Sequence, residues 1–140
     1  MSNLYPKTHI DIFVVILSWD GERAALCNAI TASSLAIADA GIECVDLTVG
    51  MSCGISALKE CVHFALSTTT NRKTMDTNEY QIDLTKEEEK GCTDWTVLGY
   101  MAARDEITYL ESNGHQGIEV TLEAARAIRR AVNRYLETRQ

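Results

Sequence analysis

Between Arg23 and Ala40 the chain is dominated by alanine, serine, threonine and leucine, charge is confined to its ends, and Gly41 follows directly. Glycine in that place is a natural left-handed helix stop, so the pattern predicts one long helix. A helix lying on a protein surface carries lysine and glutamate along its outer stripe. This one carries none, which predicts packing on several sides, with small residues allowing close approach. Its serines and threonines are read as packing residues whose hydroxyls bond back to the preceding turn.

The stretch before the helix, His9 to Trp19, places Ile10, Ile12, Val14 and Ile16 on one face and Phe13, Val15 and Leu17 on the other. That pattern predicts a strand covered on both faces and central in its sheet. Asp20-Gly21 supplies the turn. Val45–Ile55 and Cys61–Ser67 are further strand candidates, and the polar run from Ser67 to Glu79 reads as an exposed loop or hairpin tip. Tyr80–Leu84 is a short strand and Glu87–Gly91 a charged turn. Thr93–Ala102 and Glu106–Leu110 form a hairpin across Arg104-Asp105. Val120–Thr138 spaces Leu122, Ala125, Ile128, Val132 and Tyr135 as an amphipathic helix, with Thr121 near its cap. This order of elements predicts an α+β domain with its helices on one face of the sheet.

Composition sets limits. A chain of 140 residues, 46% hydrophobic, suits one globular domain. No apolar run approaches the roughly 20 residues of a membrane helix, and the start lacks the pattern of a signal peptide, so a soluble intracellular protein with no membrane partner is expected. The net charge of −7 argues against nucleic acid unless partners supply the basic surface, although Arg126, Arg129, Arg130 and Arg134 cluster near the end. The five cysteines, Cys27, Cys44, Cys53, Cys61 and Cys92, lack zinc spacing and read as buried reduced thiols. His9, His63 and His115 read as exposed or satisfied, and Trp19 and Trp95 as core anchors beside strand ends.

Three stretches together resemble the second half of the RNase PH family, most nearly the exosome ring subunit that carries the active site in archaea. They are Leu4 to Val14, with its Ile10-Asp11-Ile12 entry into a strand; Asp20-Gly21 with the helix ending Ala38-Asp39-Ala40-Gly41-Ile42 and then Asp46-Leu47; and Ile82-Asp83-Leu84-Thr85-Lys86-Glu87-Glu88-Glu89 followed by Asp94-Trp95-Thr96-Val97. The resemblance implies that residues 1–140 are the C-terminal half of an RNase PH-like domain, with the mixed sheet of the ribosomal protein S5 domain 2-like architecture, a buried Ala-rich helix, a C-terminal helix and a surface insertion over 56–79. It also implies that a longer chain or a second polypeptide supplies the other half.

The implied function is 3′-to-5′ RNA processing and degradation in an exosome ring, phosphorolytic if active, with inorganic phosphate as co-substrate and Mg2+. Implied partners are other RNase PH-like ring subunits, RNA-binding cap subunits and RNA, in nucleus, nucleolus and cytoplasm. Phosphorolysis needs an amide-lined, cationic cradle for an anion, and carboxylates that hold a metal or protonate the leaving oxygen. The cradle falls on Gly21, Arg23 and Ala24, and the acidic pair, catalytic and metal-binding, on Glu88 and Asp94. Glu22 stands on cradle ground, where like charges about 4 Å apart cost on the order of 1 to 4 kcal/mol. An inert ring scaffold therefore stands as the alternative, and a small-molecule phosphotransferase of related architecture as a third reading.

Overall fold

The structure, a computed structural model, describes residues 9–56, 80–115 and 117–138. Its elements are α1 (Glu22–Asp39), β1 (Thr48–Ser56), β2 (Tyr80–Ile82), α2 (Lys86–Gly91), β3 (Cys92–Met101), β4 (Glu106–Ser112) and α3 (Ile118–Glu137). The strands form one four-stranded sheet in the order β2-β1-β3-β4. Every pairing is antiparallel, so the expected mixed sheet is corrected to an antiparallel one among the described residues. The candidate strand Cys61–Ser67, the loop Ser67–Glu79, Cys61, His63 and nearly all of the 56–79 insertion lie outside the described residues.

The long helix forms where the sequence predicts it, and the β3–β4 hairpin turns at Arg104-Asp105, with Asp105 at φ 55. The two long helices lie on opposite faces of the sheet, not on one. Successive side chains of a strand point to opposite faces. Val49 and Met51 of β1 pack with Leu98 and Tyr100 of β3 against Ala124 and Ala125 of α3. Gly50, between them, faces α1 so closely that a Cβ would stand 2.3 Å from the Cys27 carbonyl oxygen. Glycine is what lets helix and strand approach this near.

Within this chain α1 is less enclosed than its composition predicts: only Cys27 is buried. Its hydroxyls are used as expected and once more besides. Thr31 Oγ1 bonds back to the Cys27 carbonyl (3.1 Å) and also accepts the Gly50 N–H (2.9 Å), while Ser34 Oγ accepts the Thr48 N–H (2.8 Å). Those two N–H groups lie along the part of β1 that short β2 does not reach, so helix hydroxyls take the place of a neighbouring strand.

His9–Trp19 is not a central strand. It has no regular structure, and Phe13 and Leu17 are 88% and 94% exposed. A strand is held by hydrogen bonds to neighbours, and among the described residues no strand lies beside this segment. Trp19 is likewise exposed rather than a core anchor. At the other end, Leu122, Ala125, Ile128 and Val132 face the core as predicted, but Tyr135 is 53% exposed. Thr121 is buried inside the first turn of α3, bonded back to the Gly117 carbonyl, and Gly117 is the N-cap.

Asp46 and Arg129 fasten the two ends of the fold. Their side chains, 4% and 13% exposed, meet at 2.6 Å. Asp46 also accepts the Leu47 and Ala103 N–H groups, and Arg129 donates to the Leu47 carbonyl. Removing one member of such a buried pair leaves the other charge unpaired, at a cost of about 3–5 kcal/mol. Urea unfolding should therefore show Asp46→Ala losing roughly that much. The double variant Asp46→Ala/Arg129→Met should lose less than the sum of the two single changes.

Candidate functional site

Helix α1 starts at Gly21, an extended N-cap without a side chain to satisfy the first N–H groups of the helix. Such groups carry partial positive charge and draw an anion. Here the anion is Glu89 of α2. Its Oε1 accepts the Arg23 N–H at 2.8 Å, its Oε2 accepts the Glu22 N–H at 3.3 Å, and Arg23 Nη1 lies 3.6 Å from Oε2. The Glu89 side chain is only 9% exposed. A Cβ on Gly21 would stand 2.9 Å from Glu89 Oε1 and 2.3 Å from the Leu84 carbonyl, so the absent side chain at Gly21 is what admits the carboxylate.

The local sequence explains why α2 sits there. Thr85 is its N-cap, and Thr85-x-x-Glu88 is a capping box. Thr85 Oγ1 accepts the Glu88 N–H at 3.4 Å, and Glu88 Oε2 accepts from the Thr85 N–H at 2.9 Å and hydroxyl at 2.8 Å. The Lys86 N–H donates to the Asp20 carbonyl, which joins the start of α2 to the turn before α1. Glu88 is thereby bent back on its own helix, and Glu89, the next residue round, faces α1.

The sequence-predicted site residues are brought together only in part. The turn opening α1 does abut the acidic element, through Glu89 rather than Glu88. Arg23 is half-buried and stacks over the Trp95 ring, 4.1 Å from its centroid. Asp94 opposes Ile55, the last of the β1 residues that alternate toward α3, and its Cγ lies 2.7 Å from where a Cβ on Gly114 would stand. Arg23 and Asp94 therefore lie on opposite faces of β3. Glu22 is exposed; its backbone N–H, not its carboxylate, lies in the cradle. Ala24 lines a separate groove of about 570 Å³ between α1 and residues 14–20, which also reaches Asp83 and Thr85.

Among the described residues no group of three His, Cys, Asp or Glu side chains could hold a metal ion. No helix among them is long and apolar enough to cross a membrane. His9 and His115 are exposed, as expected. The residue that sequence reasoning missed is Glu89, because the glutamate run reads as a solvated turn. The signal available was the capping-box spacing, which commits Glu88 to the helix start and turns its neighbour elsewhere.

No protein-family model matches the chain. It is 33% identical over 140 residues to the exosome complex component Rrp41 of Thermococcus kodakarensis, covering 99% of this chain and 47% of that protein. It is 32% identical over 114 residues to the exosome complex component mtr3 of Schizosaccharomyces pombe, covering 80% of this chain and 37% of that one. The chain belongs to the RNase PH-like family of exosome components. It spans less than half the length of these relatives. The turn before α1 and the acidic segment thus meet through Glu89, while Asp94 lies on the other face of β3.

The thiols are equally inward-looking. Burial pushes the thiols of Cys27 and Cys53 up to about 11. A thiol whose pKa is raised by folding lends stability that is whole below its unfolded value, near 9, and is lost as pH rises through about 11. Alkylation of the native chain at mildly alkaline pH should therefore mark half-buried Cys44 well before Cys27 or Cys53, as read by peptide mass spectrometry. Denaturant midpoints should fall as pH is taken from about 9 to about 11.

Proposed function

We propose that this protein serves as a subunit of an exosome ring in 3′-to-5′ RNA processing and degradation, and that it contributes architecture rather than phosphorolytic chemistry. The family relation carries the first part, since the relatives named above are exosome components along nearly the whole of the chain. One geometric observation carries the second: Arg23 lies on the α1 face of the sheet and Asp94 on the α3 face. A phosphate held at Arg23 is then screened by a sheet layer from the carboxyl expected to protonate the leaving oxygen. General acid–base catalysis requires hydrogen-bond reach.

Phosphorolysis is the second reading, and the ability of the Gly21–Ala24 turn to hold a carboxylate favours it. Inorganic phosphate would be the co-substrate there. The expected Mg2+ fits less well: Glu88 is engaged in its capping box and Asp94 lies on the far face of β3, so the described residues offer no converging donor set. The partners we assign are other RNase PH-like ring subunits, RNA-binding cap subunits and the RNA itself. With a net charge of −7, this subunit leaves the basic lining of an RNA path to its partners. We assign a ribosomal protein S5 domain 2-like fold on the family relation alone. We assign the protein to nucleus and cytoplasm on the family relation alone.

A ring reconstituted from the full-length protein and its partners tests this reading on a 3′-tailed RNA with phosphate and Mg2+ present. Leaving the subunit out should prevent assembly, whereas Asp94→Asn should change the rate of RNA loss by less than about twofold. A general acid at this position would cost about 10²–10⁴-fold. A loss of that size would overturn the architectural reading.

A further inference from the structure

We infer that Asn113 is a site of spontaneous deamidation, held back in the folded chain by the bridge its side chain makes to the start of β3 and by the hold of Ser112 on the next N–H. The sequence contains a single Asn-Gly dipeptide, Asn113-Gly114. Glycine has no Cβ to keep its backbone nitrogen from swinging onto the preceding side chain. In mild alkali hydroxide takes the proton of the Gly114 N–H and the nitrogen attacks Asn113 Cγ. The Cγ–Nδ2 bond breaks, and ammonia leaves with a proton taken from water. The cyclic imide left behind then adds water at either carbonyl carbon, which opens it to aspartate or isoaspartate. No oxidant, reductant or cofactor takes part.

The fold needs both residues where they stand. Regular pairing of β4 with β3 ends at Ser112, opposite Thr96. Beyond it Asn113 carries the ladder on: its N–H donates to the Trp95 carbonyl (3.2 Å), its Oδ1 accepts the Trp95 N–H (2.6 Å), and its Nδ2 donates to the Thr93 carbonyl (3.1 Å). The side-chain amide thus stands in for a peptide group. Gly114 has no room for a side chain, since a Cβ would stand 2.7 Å from Asp94 Cγ. The same contacts restrain the reaction. Both ends of the Asn113 amide are tied to β3, and the attacking Gly114 N–H donates to Ser112 Oγ at 3.2 Å. Ser112 Oγ is itself fixed by Thr96 Oγ1 and the Trp95 carbonyl, each at 2.9 Å. Attack requires these bonds to open together, an opening confined to one end of the β3–β4 pair. Conversion to a carboxylate leaves the Thr93 carbonyl without its donor and adds negative charge beside Asp94.

The experiment is peptide mass spectrometry of the intact chain after incubation at mildly alkaline pH, in buffer and in unfolding guanidinium chloride. In the denaturant Asn113 should gain the mass difference between water and ammonia ahead of every other asparagine. In the folded chain the same conversion should run at least about tenfold slower, as the opening of two hydrogen bonds implies. Ser112→Ala frees the Gly114 N–H, and the folded variant should deamidate roughly fivefold faster than the folded parent. Equal rates in the folded and unfolded chain would overturn the inference, as would a variant no faster than the folded parent. Should Ser112→Ala fail to fold, the unaltered chain with and without denaturant decides alone.

Discussion

The first N–H groups of an α-helix have no acceptor within the helix, and α1 begins after a glycine that cannot supply one. A buried carboxylate meets them instead. Charge-assisted bonds of this kind contribute about 1.5–3 kcal/mol each. The pairing places α2 against α1, and α2 leads directly into β3, one of the two inner strands of the sheet. Through that chain of contacts one side chain sets where the acidic segment, the stacked Arg23–Trp95 pair and the Asp94 strand start stand relative to one another.

Much of the fold is legible in the sequence because periodicity and turn chemistry act locally. The uncharged helix, the β3–β4 hairpin at Arg104-Asp105 and the apolar stripe of α3 each follow from residues near one another. What is not legible depends on neighbours distant in sequence. His9–Trp19 has the composition of a two-faced strand, but composition cannot provide a hydrogen-bonding partner, and none stands beside it among the described residues. The placement of α1 and α3 on opposite faces is decided by the parity of Gly50 against Val49 and Met51. That parity becomes visible only when each residue's contacts are known.

The candidate site divides along the same line. The turn before α1 and the acidic segment do meet, through Glu89. Which glutamate arrives was hidden by a one-residue ambiguity in the run Glu87-Glu88-Glu89, resolved by the capping box at Thr85. Asp94 and Trp95 show how sharply strand alternation separates adjacent residues: one stands toward α3, the other under the Arg23 guanidinium. Motif residues can also be structural, as Asp46 is. It joins the start of β1 to α3 and to the hairpin beyond β3 through Arg129 and the Ala103 N–H.

The turn before α1 holds its first N–H groups against the carboxylate of Glu89. The amide protons of Glu22 and Arg23 report on this most directly, because helix-starting N–H groups without an acceptor exchange with solvent freely. In native-state hydrogen exchange of the intact chain both amides should be protected, and Glu89→Ala should remove their protection while leaving the middle of α1 unchanged. Free exchange of both amides in the unaltered chain would contradict the carboxylate clamp.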